Sequence, residues 1–286
     1  MARVSFEAVQ RLGIALAWLL LFVAVSFAII LGVSEGVAEW VRQDGAHWLI
    51  VHNGVYGVMG FGVATVVVAR LLNKYSWERI GWHRRVGSGF AHGAALGGGM
   101  AITAIVLAVV LDRAAISLTP DWGAWTGIAL PLLLGLILSA LAEELAFRGY
   151  PLRRLADAVG VIPSLLVFAI VFAVLHAGNP NATVFSSINI GLAAIWLGLA
   201  FFSQGGMGLA WGAHLGWNAG LAVLFDAPVS GYDFAVPGIE YTPGNHAWVD
   251  GGAFGPEGGI VATVALIGGT LYLLSRKAVF SEPVAA

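Results

Sequence analysis

Apolar residues in this chain run in blocks of about twenty, divided by short polar stretches. Half-buried strands alternate apolar and polar with period two, so the pattern selects long apolar helices instead. Eight are predicted, at about 12–33, 48–69, 88–111, 124–148, 160–177, 184–203, 207–225 and 258–275. At a rise of 1.5 Å per residue, each comes near the roughly 30 Å of a bilayer's hydrocarbon core. The fifth and seventh are short and Gly-interrupted. Leu12–Val33 exceeds a secretory h-region of roughly 7–15 residues and reads as a retained signal-anchor helix. The predicted fold is all-α, a polytopic integral membrane bundle of about eight transmembrane helices forming a single membrane domain over residues 1–286.

Composition agrees. Of 286 residues, 59% are hydrophobic and 10% charged, against about 25% charged in soluble domains, and the mean hydropathy is +0.86. The 39 glycines suit helices that pack closely through small residues, the Gly97-Gly98-Gly99 run included. Cysteine is absent, which removes disulfides, thiolate metal sites and a cysteine nucleophile.

The basic residues are segregated. Arg3 and Arg11, then Arg70, Lys74, Arg79, Arg84 and Arg85, then Arg148, Arg153 and Arg154, then Arg276 and Lys277 fall on one side, leaving Arg42 and Arg113 on the other. Basic loops stay cytoplasmic, so both termini are expected there, in a plasma-membrane protein. The connection from Asp226 to Glu257 holds five acids and no Lys or Arg, which fits the outer side. It reads equally as a rim over the bundle or as a solvated loop.

Ionisable groups inside this apolar background mark the chemistry, because each costs roughly 2.5–3.5 kcal/mol at the centre of a membrane helix. Glu144 and Arg148 are four apart and share a helix face. Glu143 is rotated about 100° from Glu144 and is left free to act as a general base. The competing reading is an interfacial Glu–Arg pair that ends the helix. His214 and Asn218, again four apart, point into one cleft as oxyanion donors or as interhelical hydrogen bonds. His176 has Phe172 one turn earlier on its face. Together these groups offer a base for water, donors for an oxyanion and an acid for a leaving amine. No HExxH or GxSxG pattern occurs. His52, Asn53 and His92 read as helix–helix contacts, and Glu257 as an acid favoured at a helix start.

Glu143-Glu144 with Arg148, Phe172 with His176, and His214 with Asn218 resemble the EExxxR, FxxxH and HxxxN signatures of the CPBP family, the type II CAAX prenyl proteases and bacteriocin-processing enzymes. The likeness covers about residues 120–225, and more loosely Glu78–Trp82 and Gly251–Glu257. It implies an eight-helix bundle with a conical cavity open to membrane and cytosol. It implies that Glu143 activates water with help from His176, that His214 and Asn218 form the oxyanion hole, and that Glu144 and Arg148 support Glu143. The resemblance leaves the metal question open. Glu143, His176 and His214 are candidate ligands for a divalent metal such as zinc, and a water activated by a carboxylate alone needs none, so the sequence fixes no cofactor. The expected partners are the bilayer and a peptide or membrane-protein substrate, with no nucleic acid. A non-catalytic membrane scaffold and a proton-coupled transporter are the competing functions.

The span boundaries set Glu143 near the inner end of its helix and His176 near the outer end of the next. A shared site therefore requires Gly178–Ala182 to dip into the protein, which irregular backbone tolerates where protein or a water cavity surrounds it.

Overall fold

The computed structural model describes residues 6–37 and 46–276. Arg3, Arg42 and Lys277 lie outside the described residues. Each of the eight predicted segments is helical: α1 (Phe6–Val37), α2 (Ala46–Ala64, continued by a π-helical stretch Thr65–Leu72), α3 (Val86–Asp112), α4 (Trp122–Phe147), α6 (Val161–His176), α7 (Val184–Phe202), α8 (Gly206–Ala219, continued by a π turn Gly220–Leu224) and α10 (Ile260–Ser275). Among the described residues, five helical stretches are long and apolar enough to cross a bilayer, while α6 and α10 are shorter. The chain is an all-α, multi-pass membrane bundle.

A further helix, a pair of strands and a one-turn helix were not predicted. The amphipathic helix α5 (Tyr150–Val159) follows α4 directly. Gly149 and Pro151 break α4 from α5, since Pro has no N–H to continue the ladder and its ring crowds the preceding turn. Tyr150, Leu152 and Leu155 are buried, while the partly buried Arg153 and Asp157 pair at 3.2 Å. Arg79 and Tyr75 also reach Asp157, at 3.0 and 2.6 Å, and latch the 73–85 connection to α5. On the other end of the bundle, β1 (Ala115–Thr119) pairs antiparallel with β2 (Gly238–Thr242), Ala115 opposite Thr242 and Thr119 opposite Gly238. A short helix, α9 (Ala247–Asp250), follows. Beside it His246 Nδ1 lies 2.6 Å from Asp112 Oδ1 at the end of α3. The connection from Asp226 to Glu257 is thus folded onto the bundle.

Glycine sets the position of α8. A Cβ on Gly93 or Gly97 would strike the carbonyls of Leu209 and Ala213, and one on Gly208, Gly212 or Gly216 those of Val86, Phe90 and Ala94. The two backbones therefore meet along a small-residue stripe of four-residue spacing. Of the Gly97–Gly99 run, Gly97 makes this contact, Gly98 lies at ordinary contact distance and Gly99 faces nothing within 4 Å. His214 follows Gly212 by two residues, about 200° around the helix, so pressing the glycine stripe onto α3 aims His214 and Asn218 at α4.

Candidate active site

Neighbouring carboxylates on α4 have opposite surroundings. Glu144 is fully buried, and its Oε1 accepts from Arg148 Nη1 at 3.2 Å and from His214 Nδ1 at 2.8 Å. Arg148 is 2% exposed, with its guanidinium 4.6 Å from the Phe172 ring centre, a cation–π contact. It belongs to the interior, which corrects its assignment to the basic loop after the fourth span. The Glu143 side chain is 35% exposed. Its Oε2 stands 3.8 Å from His214 Nε2 and 4.0 Å from His176 Nε2, and has no hydrogen-bond partner among the described residues.

The imidazole tautomers follow from their partners. His176 Nδ1 lies 2.8 Å from the Phe172 carbonyl, and His214 Nδ1 faces the Glu144 carboxylate. Both oxygens only accept, so both Nδ1 atoms carry hydrogen and both Nε2 atoms turn to Glu143. Phe172 acts twice. Its carbonyl fixes His176, and its ring packs against that imidazole at 4.2 Å between centres while lying under Arg148.

Depth no longer divides the site. The helix α5 inserts ten residues between α4 and α6, up to about 15 Å of rise before the chain turns back. His176 therefore ends α6 level with Glu143. The turn after it does not dip into the protein: Ala177, Gly178, Pro180 and Asn181 are exposed, and only the half-buried Asn179 reaches inward, its Nδ2 donating to the Ser230 carbonyl at 3.0 Å.

Glu143, His176, His214 and Asn218 all line one chamber of about 380 Å³, whose walls include Leu136, Phe172, Ile190 and Trp196. Glu144 and Arg148 lie behind it. The chamber also gathers residues that the sequence did not single out for it, namely Asn53, Asn189, Ser230, Tyr232 and Glu257. Glu257 accepts from Trp217 Nε1 at 2.9 Å, from Ser230 Oγ at 2.9 Å and from the Ser230 backbone N–H. It joins the 226–257 connection to α8 beside Asn218, a role beyond the helix dipole. Asn189 donates to the carbonyls of Glu257 and Gly259, both at 2.8 Å, and anchors the start of α10. His92 does make a helix contact, with Tyr272 OH at 3.0 Å, and His52 stacks with Trp48 and Tyr56 on its own helix.

The candidate ligands stand too far apart for a tetrahedral zinc. Ligands at roughly 2.0–2.1 Å around a tetrahedral zinc stand about 3.3 Å apart, closer than the 3.8 and 4.0 Å separating Glu143 Oε2 from the two Nε2 atoms. Among the described residues, no three His, Asp, Glu or Cys side chains form a group able to hold a metal ion.

Fold and site together define a multi-pass membrane protein that brings a carboxylate, two imidazoles and a carboxamide to one chamber within its apolar bundle. Residues 125–220, about a third of the chain, match the family model described as Type II CAAX prenyl endopeptidase Rce1-like. That segment resembles this family, and the match supports a CAAX-protease-like intramembrane peptidase. No curated protein and no solved structure matches it.

Proposed function

We propose that the chain is a glutamate-dependent endopeptidase that hydrolyses a peptide bond in a membrane-associated peptide or protein segment. The observation that carries this reading is the Glu143 side chain, which lines the chamber and whose unpartnered Oε2 stands within 4.0 Å of two imidazole Nε2 atoms. Those separations are too long for direct hydrogen bonds and suit a bridging water.

Glu143 removes a proton from that water as the oxygen attacks the scissile carbonyl, and His176 Nε2 holds the water in line. The oxyanion takes hydrogen bonds from the Asn218 carboxamide and from His214 Nε2. His214 serves as the imidazolium, in which both nitrogens donate. When the C–N bond breaks, Glu143 returns its proton to the leaving amine. Glu144 and Arg148 are positioning groups that orient His214 and the end of α4. The apolar walls favour an extended apolar segment as substrate.

Residues 120–225 form the catalytic core of a single membrane domain spanning 1–286. The distribution of Lys and Arg supports cytoplasmic termini.

The test is cleavage of a membrane-peptide library by purified protein in nanodiscs, wild type beside Glu143→Gln, with and without chelator. Cleavage lost in the variant and unchanged by chelator is expected. Full activity in Glu143→Gln sinks the assignment of the base. A cellular phenotype rescued equally by both would favour a scaffold.

A further inference from the structure

A second cleft, of about 760 Å³, lies where α3 and α8 begin and α10 ends, and it shares no lining residue with the chamber. Arg85 and Arg276 stand in its walls, while no Asp or Glu does. Arg85 Nη1 donates to Gln204 Oε1 at 3.5 Å, and the Arg276 guanidinium lies 5.6 Å from the Tyr272 ring centre. Both partners are neutral, so among the described residues neither arginine has a counter-charge. The N-cap residues Arg85 and Gly205 both line the cleft, so the positive ends of α3 and α8 open on it. The negative end of α10 also arrives here, with Arg276 as its C-cap. Further along α3, Ser88 and His92 share one face, and His92 Nε2 lies 3.0 Å from Tyr272 OH on α10.

Beyond this polar cluster the seam between α3 and α10 lacks side chains. Gly99 follows His92 by two turns of α3, and Gly268 precedes Tyr272 by one turn of α10, so each shares a face with the polar residue. Both glycines are exposed, and a Cβ on either would meet nothing within 4 Å. The cleft thus runs on into an open furrow along the membrane-spanning helices. We propose that the cleft binds the phosphate of an anionic phospholipid, with an acyl chain lying along the furrow. A guanidinium takes two phosphate oxygens at once, and basic pockets between membrane helices hold anionic headgroups. With no carboxylate in the walls, the ammonium of a zwitterionic headgroup would find no partner, so the headgroup selected carries net negative charge. A soluble phosphate would satisfy the arginines but leave the furrow empty.

The test is native mass spectrometry of the full-length protein in detergent, titrated with phosphatidylglycerol, with phosphatidylcholine of the same acyl chains, or with glycerol phosphate. Wild type is expected to retain phosphatidylglycerol over phosphatidylcholine. Arg85→Gln combined with Arg276→Gln should weaken that binding about thirtyfold, roughly fivefold for each arginine. Arg11→Gln combined with Arg84→Gln removes the same charge from exposed residues outside the cleft and should change it little. Gly99→Leu, which fills the furrow, should weaken lipid binding with both arginines in place. Unfolding midpoints in lipid-free detergent, expected to be unchanged in the arginine variants, separate lost binding from lost fold. Equal loss in the two double variants would reduce the effect to overall charge and overturn the proposal, as would phosphatidylcholine bound as tightly. Glycerol phosphate that displaces the lipid mole for mole would assign the cleft to a soluble phosphate and overturn the lipid reading. Binding reads no cleavage, so either result leaves the peptidase reading standing.

Discussion

His214 Nδ1 lies 2.8 Å from Glu144 Oε1, on the same oxygen that takes the Arg148 guanidinium at 3.2 Å. One buried carboxylate thus orients an imidazole on another helix and neutralises a cation on its own. Removing one member of such a buried pair typically costs about 3–5 kcal/mol, because the remaining charge is left uncompensated. Glu144→Gln is therefore expected to lower the thermal unfolding midpoint in detergent strongly, while the partly exposed Glu143→Gln changes it little. Equal midpoints for the two variants would contradict the division between a supporting and a reacting carboxylate.

Asn218→Ala is expected to reduce kcat by about 10²–10³-fold, the range for losing one oxyanion donor. KM should change far less, since the donor acts on charge that develops in the transition state. Steady-state kinetics on a cleaved peptide checks this, and a rise in KM at constant kcat would assign Asn218 to substrate binding.

Most positions of the chamber and its support were legible because they fall in pairs of helical spacing, with Glu143 marked by its place beside Glu144. Glu144 with Arg148, Phe172 with His176 and His214 with Asn218 are all four apart, so local periodicity alone orients them together. Glu257 was not legible. Its partners Ser230 and Trp217 lie 27 and 40 residues away, and only the folding of the outer connection brings them near. Asn53 was read as a packing residue because nothing local separates a chamber-facing Asn from one between helices. Helix α5 escaped notice because its Arg153, Arg154 and Asp157 make it resemble a polar loop; its helicity comes from burying Tyr150, Leu152 and Leu155. Arg148 was misplaced for the same reason, since a basic residue beside a basic stretch looks like loop charge until its burial is seen.

Glu257→Gln tests the rim. A glutamine cannot accept from Trp217 and Ser230 on both side-chain atoms, and each buried donor left unpaired costs about 1–3 kcal/mol. The expected result is a rise in KM larger than any fall in kcat, with a lowered unfolding midpoint. A fall in kcat alone would place Glu257 in the chemistry.

The α3–α8 seam predicts a contrast between glycines. Gly212→Val drives a side chain into the Phe90 carbonyl and is expected to destabilise by at least about 1–3 kcal/mol, the usual range for overpacking. Gly99→Ala enters open space and should stabilise by about 0.4–1 kcal/mol through the unfolded chain. Unfolding midpoints of the two variants in one detergent decide it.

Asp226 predicts a pH dependence. Burial raises its carboxyl from 3.8 to about 6, with Asp233 and Glu240 adding like charge. The folded state holds the proton more tightly than the unfolded one, so this group's contribution is complete below about pH 4 and is lost as pH rises through about 6. Asp226→Asn should flatten that part of the profile. Asn tolerates the left-handed backbone found here, φ 47°, and still accepts from the Val236 N–H. Unfolding midpoints at pH 4 to 8 test the sign, and an unchanged profile in the variant would refute it.

The β1–β2 ladder and the Asp112–His246 contact join chain segments more than a hundred residues apart. Mechanically they act as a buckle across one end of the bundle. The α3–α4 corner and the stretch between α8 and α10 become one stiff block, and Asn179, bonded to the Ser230 carbonyl, ties the end of α6 to it as well. Helix α2, which contributes Leu49, Ile50 and Asn53 to the chamber, stands outside that buckle. Any widening that admits a polypeptide is then lopsided, a swing of one wall against three that hold still.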